Sequence, residues 1–269
     1  MRAVKPTAED PWKALRLHTQ ARIALGRCGV SLPVAAWLEF RLAHARARDA
    51  VLTGFDKEFV RGELEKQGLD VLTLKSAALD REEFLARPDK GRRLSGASAA
   101  ALREYADSGE KTGADVCLVI SNGLSARAIH DNAPPFAAAL TPRLAAAGLS
   151  LAPVVVVDNG RVAVADEITH MVRARLSVIL IGERPGLSSP DSMGVYMTFE
   201  PKPGCTDETR NCISNVRPGG LGIAESVRKL CYLVQHAFSL GYSGIRLKDD
   251  MPAAWLPPGQ PFDSHKTIE

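Results

Sequence analysis

The pattern of hydrophobic and polar positions changes near Ser95. Before it, apolar side chains recur at helical spacing among many charged ones. After it, short apolar runs alternate with helical segments, which is typical of a parallel sheet with helices on both faces. We therefore predict an α/β fold with a Rossmann-like, doubly wound, mostly parallel sheet domain at 91–250. A small helical N-terminal domain at 1–90 precedes it, and an extended or disordered tail at 251–269 follows.

The individual elements follow from these runs. The sequence predicts helices at 19–25, 34–52, 57–66, 98–105, 126–147, 166–175 and 224–240. The proline pair at 134–135 should bend or restart the fifth of these helices. Strands are expected at 71–74, 115–120, 153–157, 162–164, 176–181 and 195–199. The last strand alternates enough between apolar and polar residues to lie at a sheet edge.

The loops after the strands carry most of the candidate chemistry, because ligands of open α/β sheets bind where loops leave the carboxyl ends of strands. In the loop at 121–126, capping of the next helix by Asn122 or Ser125 is the alternative to ligand binding. In the loop at 158–162, Asn-Gly favours a hairpin turn. The basic loop at 87–95 is either a solvated surface or a contact for an anion or a partner.

Two further loops contain the most distinctive residues. The loop at 182–190 combines two glycines, two prolines and the Glu183-Arg184 pair after an apolar strand. Glycine lets a ligand approach the backbone closely, so this loop is a candidate ligand site. The alternative is a surface turn in which Glu183 and Arg184 form a local ion pair. The loop at 209–220 is rich in polar residues and glycine, and Cys212 within it is either a ligand contact or a buried structural thiol.

Composition narrows the classes of function. The chain has 269 residues, 45% hydrophobic and 24% charged, with a net charge of +3, so nothing indicates nucleic-acid or membrane binding.

The scattered cysteines and the lack of an apolar signal segment predict a reduced, cytoplasmic protein. No GxSxG, HExxH or Walker motif occurs, and the histidines are dispersed, so we expect no catalytic residue and no metal ligand. We therefore expect this chain to supply one part of a functional site and a partner protein to supply the rest.

Taken together and in order, the motifs resemble the small subunit of ethanolamine ammonia-lyase, an adenosylcobalamin-dependent enzyme. The resemblance covers roughly residues 15–247. Its main motifs are His44-Ala45-Arg46-Ala47-Arg48-Asp49, Arg87-Pro88-Asp89-Lys90-Gly91-Arg92-Arg93-Leu94, Ser121-Asn122-Gly123-Leu124-Ser125, Gly160-Arg161-Val162, Gly182-Glu183-Arg184-Pro185-Gly186-Leu187 and Cys212-Ile213-Ser214-Asn215.

The resemblance implies a required but non-catalytic subunit of a carbon–nitrogen lyase that converts ethanolamine to acetaldehyde and ammonia. A TIM-barrel large subunit would carry the catalytic residues, adenosylcobalamin would lie between the subunits, and the holoenzyme would be a hexamer of heterodimers. The family's cobalamin contacts fall on Val162, Glu183 and Cys212. No Asp-x-His-x-x-Gly motif occurs, so the cofactor is expected to be base-on, with its own dimethylbenzimidazole on cobalt.

Some features depart from the family or leave alternatives open. Asn122 stands where the family usually has aspartate, which removes a charge from that loop. The short N-terminal segment argues against delivery into a bacterial microcompartment and favours a cytoplasmic enzyme. We expect the N-terminal helical region to serve assembly. The alternative functions are a stand-alone Rossmann-like nucleotide- or cobalamin-binding protein and a scaffold module for another partner.

Overall fold

The computed structural model describes residues 7–109 and 112–257. Its strands are β1 (Val71–Lys75), β2 (Val116–Ser121), β3 (Val154–Asp158), β4 (Leu176–Gly182), β5 (Met193–Phe199) and β6 (Arg210–Val216). They form a six-stranded sheet in the order β1-β3-β2-β4-β5-β6. The first four strands in this order run parallel, whereas β5 and β6 are antiparallel to their neighbours. The α/β prediction is confirmed, with a mixed sheet.

Helices cover both faces of this sheet. They are α1 (Val34–Leu52), α2 (Lys57–Glu65), α3 (Arg81–Ala86), α4 (Gly96–Asp107), α5 (Ala126–Ala146), α6 (Val164–Met171) and α7 (Ile223–Leu240). Successive strand residues point to opposite faces. Leu118 therefore packs in a core with α2, α5 and α7, and Val119 packs in a second core with α4 and α6. This burial of β2, β3 and β4 on two sides explains their almost entirely apolar sequences.

Several predicted helices and strands need correction. Residues 19–25 form no helix, because so short a segment needs tertiary packing to be stable and most of it is exposed. The strand predicted at 162–164 does not form: residues 162 and 163 are a turn that leads into α6, whose first residue, Val164, is buried. The helix α5 continues through Pro134 and Pro135 without restarting, since its buried side chains hold it against the sheet.

The sheet extends one strand beyond β5, which was expected at the edge. The segment predicted as a polar loop at 209–220 contains the edge strand β6, which places Cys212 opposite Tyr196. The sequence of β6 looks like a loop because one face of the strand is exposed and carries polar residues, among them Cys212 and Ser214. Ile213 and Val216 are buried on the other face. The polar residues therefore belong to the open face of an edge strand.

The strand predicted at 71–74 is β1, so the sheet begins within the segment 1–90 that was assigned to a helical domain. The strand β1 pairs with β3 from Val71 to Lys75, and α2 contributes Val60 and Leu64 to the main core. Part of the segment 1–90 therefore belongs to the sheet layer, whereas the division into domains and the Rossmann-like assignment remain predictions. Trp255, from the start of the predicted tail, packs on the main core. Residues 258–269 of that tail lie outside the described residues.

A buried ion pair joins the edge strand to the helical layer. Arg210 at the start of β6 donates to both carboxylate oxygens of Asp166 on α6, at 2.6 and 2.7 Å. Arg210 also donates to the Thr198 hydroxyl at 3.2 Å and the Cys205 carbonyl at 2.8 Å. Burial raises the pKa of Asp166, and the bonds from Arg210 oppose that rise. The pair therefore holds β6 against α6.

No helix in the described ranges is long and apolar enough to cross a membrane.

We expect Arg210→Met to destabilise the chain by about 3–5 kcal/mol, because it leaves Asp166 buried without its partner. The double variant Asp166→Asn/Arg210→Met should be more stable than the single variant, since the orphaned charge is gone. Urea unfolding followed by circular dichroism measures both differences. A loss below 1 kcal/mol in the single variant would show that the pair does not hold β6 in place.

Candidate functional site

A cavity of about 870 Å³ lies beside α6, over the sheet face at β5 and β6. Its walls come from the basic loop, from the turn between β3 and α6, and from the segment between β5 and β6. The lining residues are Pro88, Arg92, Arg93, Arg161, Val162, Ala163, Glu167, Tyr196, Pro203, Gly204, Cys205, Thr206, Asp207 and Arg210. This volume falls in the usual range of ligand sites, which is roughly 300–1,000 Å³.

The open face exists because the two helical layers differ in extent. On one face, α5 and α7 share a core with Val195 of β5 and Ile213 of β6. On the other face, the core of α4 and α6 includes Ile179 of β4, and Tyr196 of β5 is only partly buried beside it. Cys212 on β6 is exposed on this second face. The sheet therefore presents an uncovered surface next to the cavity.

The structure gathers the predicted contact residues around this surface. Val162 lines the cavity from the turn after β3. Glu183 directly follows β4, and Cys212 lies on β6 opposite Tyr196, which also lines the cavity. Glu183 and Cys212 are not among the lining residues of the cavity. Sequence reasoning did not single out Tyr196, because its strand was expected at the sheet edge.

Two serines fix the carboxylate of Glu183. Its Oε2 accepts from the Ser192 hydroxyl and its Oε1 from the Ser214 hydroxyl, both at 2.5 Å. The backbone N–H of Asn215 also donates to Oε2, at 3.3 Å. The described residues show no Glu183–Arg184 ion pair, so the local-pair alternative is wrong. An ionised carboxylate has about four acceptor positions, which leaves one for a ligand N–H.

Cys212 is an exposed free thiol, so the alternative of a buried structural thiol is wrong. Its pKa is raised, chiefly because neighbouring atoms of the cleft displace water around the sulfur, with the charge of Glu183 adding to the effect. The pKa of the facing Tyr196 is also raised, mainly by burial. A raised thiol pKa disfavours the thiolate, and the thiolate is the nucleophilic form. The environment therefore suits a contact residue.

Asn122 joins the loops that follow β2 and β3. Its Oδ1 accepts from the backbone N–H of Asn159 at 2.8 Å, and its Nδ2 donates to the Asn159 side chain at 3.1 Å. Asn159 adopts a left-handed φ of 55° in a turn that leads to α6, so the hairpin prediction is wrong. Ser125 accepts from the N–H of Ala128 at 3.2 Å and caps α5, which confirms the capping prediction.

Comparisons with known proteins agree on one family. The family described as "Ethanolamine ammonia-lyase light chain (EutC)" matches residues 9–248. The ethanolamine ammonia-lyase small subunit of Azotobacter vinelandii is 53% identical over 252 residues, which is 93% of each chain. That of Pseudomonas putida (strain W619) is 51% identical over 91% of this chain and 90% of its own. That of Ralstonia nicotianae is 50% identical over 94% and 93%.

We expect Asn122→Ala to cost about 1–3 kcal/mol of stability, because it strands the buried N–H of Asn159. Asn159→Gly should cost less, since glycine tolerates the left-handed backbone and only the side-chain bond is lost. Urea unfolding of both variants and of the double variant gives the coupling free energy of the pair. Equal stability of Asn122→Ala and the parent chain would mean that the two loops do not depend on this link.

Proposed function

The chain belongs to the ethanolamine ammonia-lyase light-chain family and is thus one subunit of a lyase, and we propose that it forms one wall of the cobalamin site. Enzymes of this family depend on cobalamin, and a small subunit implies a large-subunit partner. The uncovered face of β5 and β6 beside the cavity carries the proposal, because three predicted contact residues surround it. The relatives match over nine-tenths of the chain, so a stand-alone binding protein is not favoured.

The side chains of this wall suit the periphery of a corrin. Corrin is a broad apolar ring edged by amide groups, so it needs apolar contacts and hydrogen-bond acceptors. Val162 and Tyr196 supply apolar surface, and Cys212 adds a polarizable atom. Glu183 retains an acceptor position for an amide N–H. Adenosylcobalamin supplies radical chemistry when bound, and the residues of this chain position it.

The same wall offers little for acid–base catalysis. Among the described residues no histidine lines the cavity, and its two carboxylates, Glu167 and Asp207, each lie near a donor of this chain. Glu167 accepts from the N–H of Leu94 at 2.9 Å, and Asp207 lies 3.5 Å from Nε of Arg210. We therefore assign the catalytic residues to a TIM-barrel large subunit, in a hexamer of heterodimers. The base-on state of the cofactor and the cytoplasmic location also belong to this proposal.

The helix α1 provides the surface for assembly. Among its residues only Ala43 and Ala50 are buried, whereas Trp37, Leu38 and Leu42 are 48%, 58% and 52% exposed. Exposed apolar side chains concentrated on one element are typical of protein–protein interfaces. An arginine-rich stretch at 46–48 on the same helix offers guanidiniums to carboxylates of a partner. We therefore place part of the contact with the large subunit on α1.

Glu183→Gln tests the corrin contact. We expect the apparent dissociation constant for the cofactor to rise, because one hydrogen bond worth about 0.5–1.5 kcal/mol is weakened. The effect on kcat should be smaller. The measurement is a titration of the assembled enzyme with adenosylcobalamin, with the exposed Glu104→Gln as a control of the same chemistry. Abolished turnover at saturating cofactor would instead identify Glu183 as a catalytic carboxylate.

Trp37→Glu combined with Leu42→Glu tests the assembly surface. Both side chains are exposed, so the chain should keep its circular dichroism spectrum and unfolding midpoint. The charges should abolish stoichiometric co-purification with the large subunit, because they would be buried at the interface without partners. Ile245→Glu, at an exposed apolar residue distant in sequence, is the control. Normal assembly of the double variant would remove α1 from the interface.

A further inference from the structure

Arginines gather at one end of the cavity. Arg92 and Arg161 line it, and Arg92 and Arg184 are both close enough for their charges to act on Arg161. Loss of hydration and these two like charges lower the pKa of Arg161. Within the described ranges, neither Arg92 nor Arg184 has an ion-pair partner. This end of the cavity therefore concentrates positive charge that the chain itself does not neutralise.

The guanidinium of Arg161 is held in place. It lies over the ring of Phe84, with 4.3 Å between its central carbon and the ring centroid, and donates to the carbonyl of Phe84 at 3.2 Å. The backbone N–H of Arg161 donates to the carbonyl of Gly91 at 2.6 Å. Its Nε is buried and has no hydrogen-bond partner. A guanidinium fixed in this way needs little reorganisation to bind an acceptor group at the cavity.

Two carboxylates, Glu167 and Asp207, also line the cavity. Glu167 accepts from the backbone of Leu94. Asp207 lies beside Arg210, which forms its main pair with Asp166. Glu167 on α6 holds the basic loop through Leu94, and neither carboxylate is among the charges that act on Arg161, which come from arginines. The arginine end is therefore complementary to an anion small enough to enter the cavity.

We propose that Arg92 and Arg161 bind the phosphodiester of the cobalamin nucleotide tail. This inference rests on the proposed function. The amides around a corrin are neutral, so the phosphodiester is the anionic group that the cofactor offers. Arg161 precedes Val162 in the chain, so one turn would contact both the ring and the tail. Guanidinium matches the geometry of phosphate oxygens better than ammonium does.

The test compares cobalamin with forms that lack parts of the tail. Cyanocobalamin contains the complete tail, cobinamide phosphate keeps a phosphate without the base, and cobinamide has neither. Binding of each to the complex with the large subunit is measured by equilibrium dialysis. We expect Arg161→Met and Arg92→Met each to weaken binding of the two phosphate-containing ligands about tenfold, as for the loss of one charge-assisted hydrogen bond. Cobinamide binding should stay unchanged.

The controls separate the possible failures. Arg103→Met removes an exposed arginine of α4 and should change none of the three affinities. If Arg161→Met does not fold, the Arg92→Met variant still provides the measurement, because Arg92 is exposed and its replacement should not affect folding. Equal loss for cobinamide, or no loss for cobalamin, would overturn the phosphate assignment, and loss of the large subunit would show that these arginines face partner carboxylates. If the parent complex binds none of the three ligands, the proposed function itself fails.

Discussion

The site depends on a backbone contact that leaves no room for a side chain. A Cβ added at Gly182 would lie 2.1 Å from the carbonyl oxygen of Ser125, and one at Gly123 would lie 2.4 Å from the carbonyl oxygen of Gly182. This approach lets the N–H of Leu124 donate to Gly182 at 2.8 Å. The end of β4 is thereby pinned against the start of α5, and Glu183 projects from a fixed point.

The pinned end of β4 connects the parallel and antiparallel parts of the sheet. Glu183 follows it directly and receives hydrogen bonds from Ser192 before β5 and Ser214 on β6. At the start of β6, Arg210 is paired with Asp166 on α6. The edge strand is thus held at both ends by charged side chains, while its middle stays open. This arrangement keeps a polar, solvent-exposed surface rigid without a covering helix.

The sequence allowed prediction of the elements that apolar patterning defines, and these include α7 and the strands β2 to β4. It did not reveal β6, because an edge strand with one open face has few apolar residues and resembles a loop. It also did not reveal that Arg161 stacks on Phe84, since those residues are far apart in the chain. The three proposed contact residues were reached only through the family resemblance, because Val162, Glu183 and Cys212 share no local pattern.

The site is open to solvent on one side, and this bears on how the enzyme can protect its reaction from water. Water reaches the exposed Cys212 and Ser214 on β6, and reactive intermediates need a site from which water is excluded. A corrin against Val162 and Tyr196 would be covered by this chain on one side only, and its other side needs a second apolar surface. On the proposed function, the large subunit must therefore supply that surface as well as the catalytic groups. On the same proposal, the small subunit is required because its wall, once covered, sets the position of the cofactor relative to those groups.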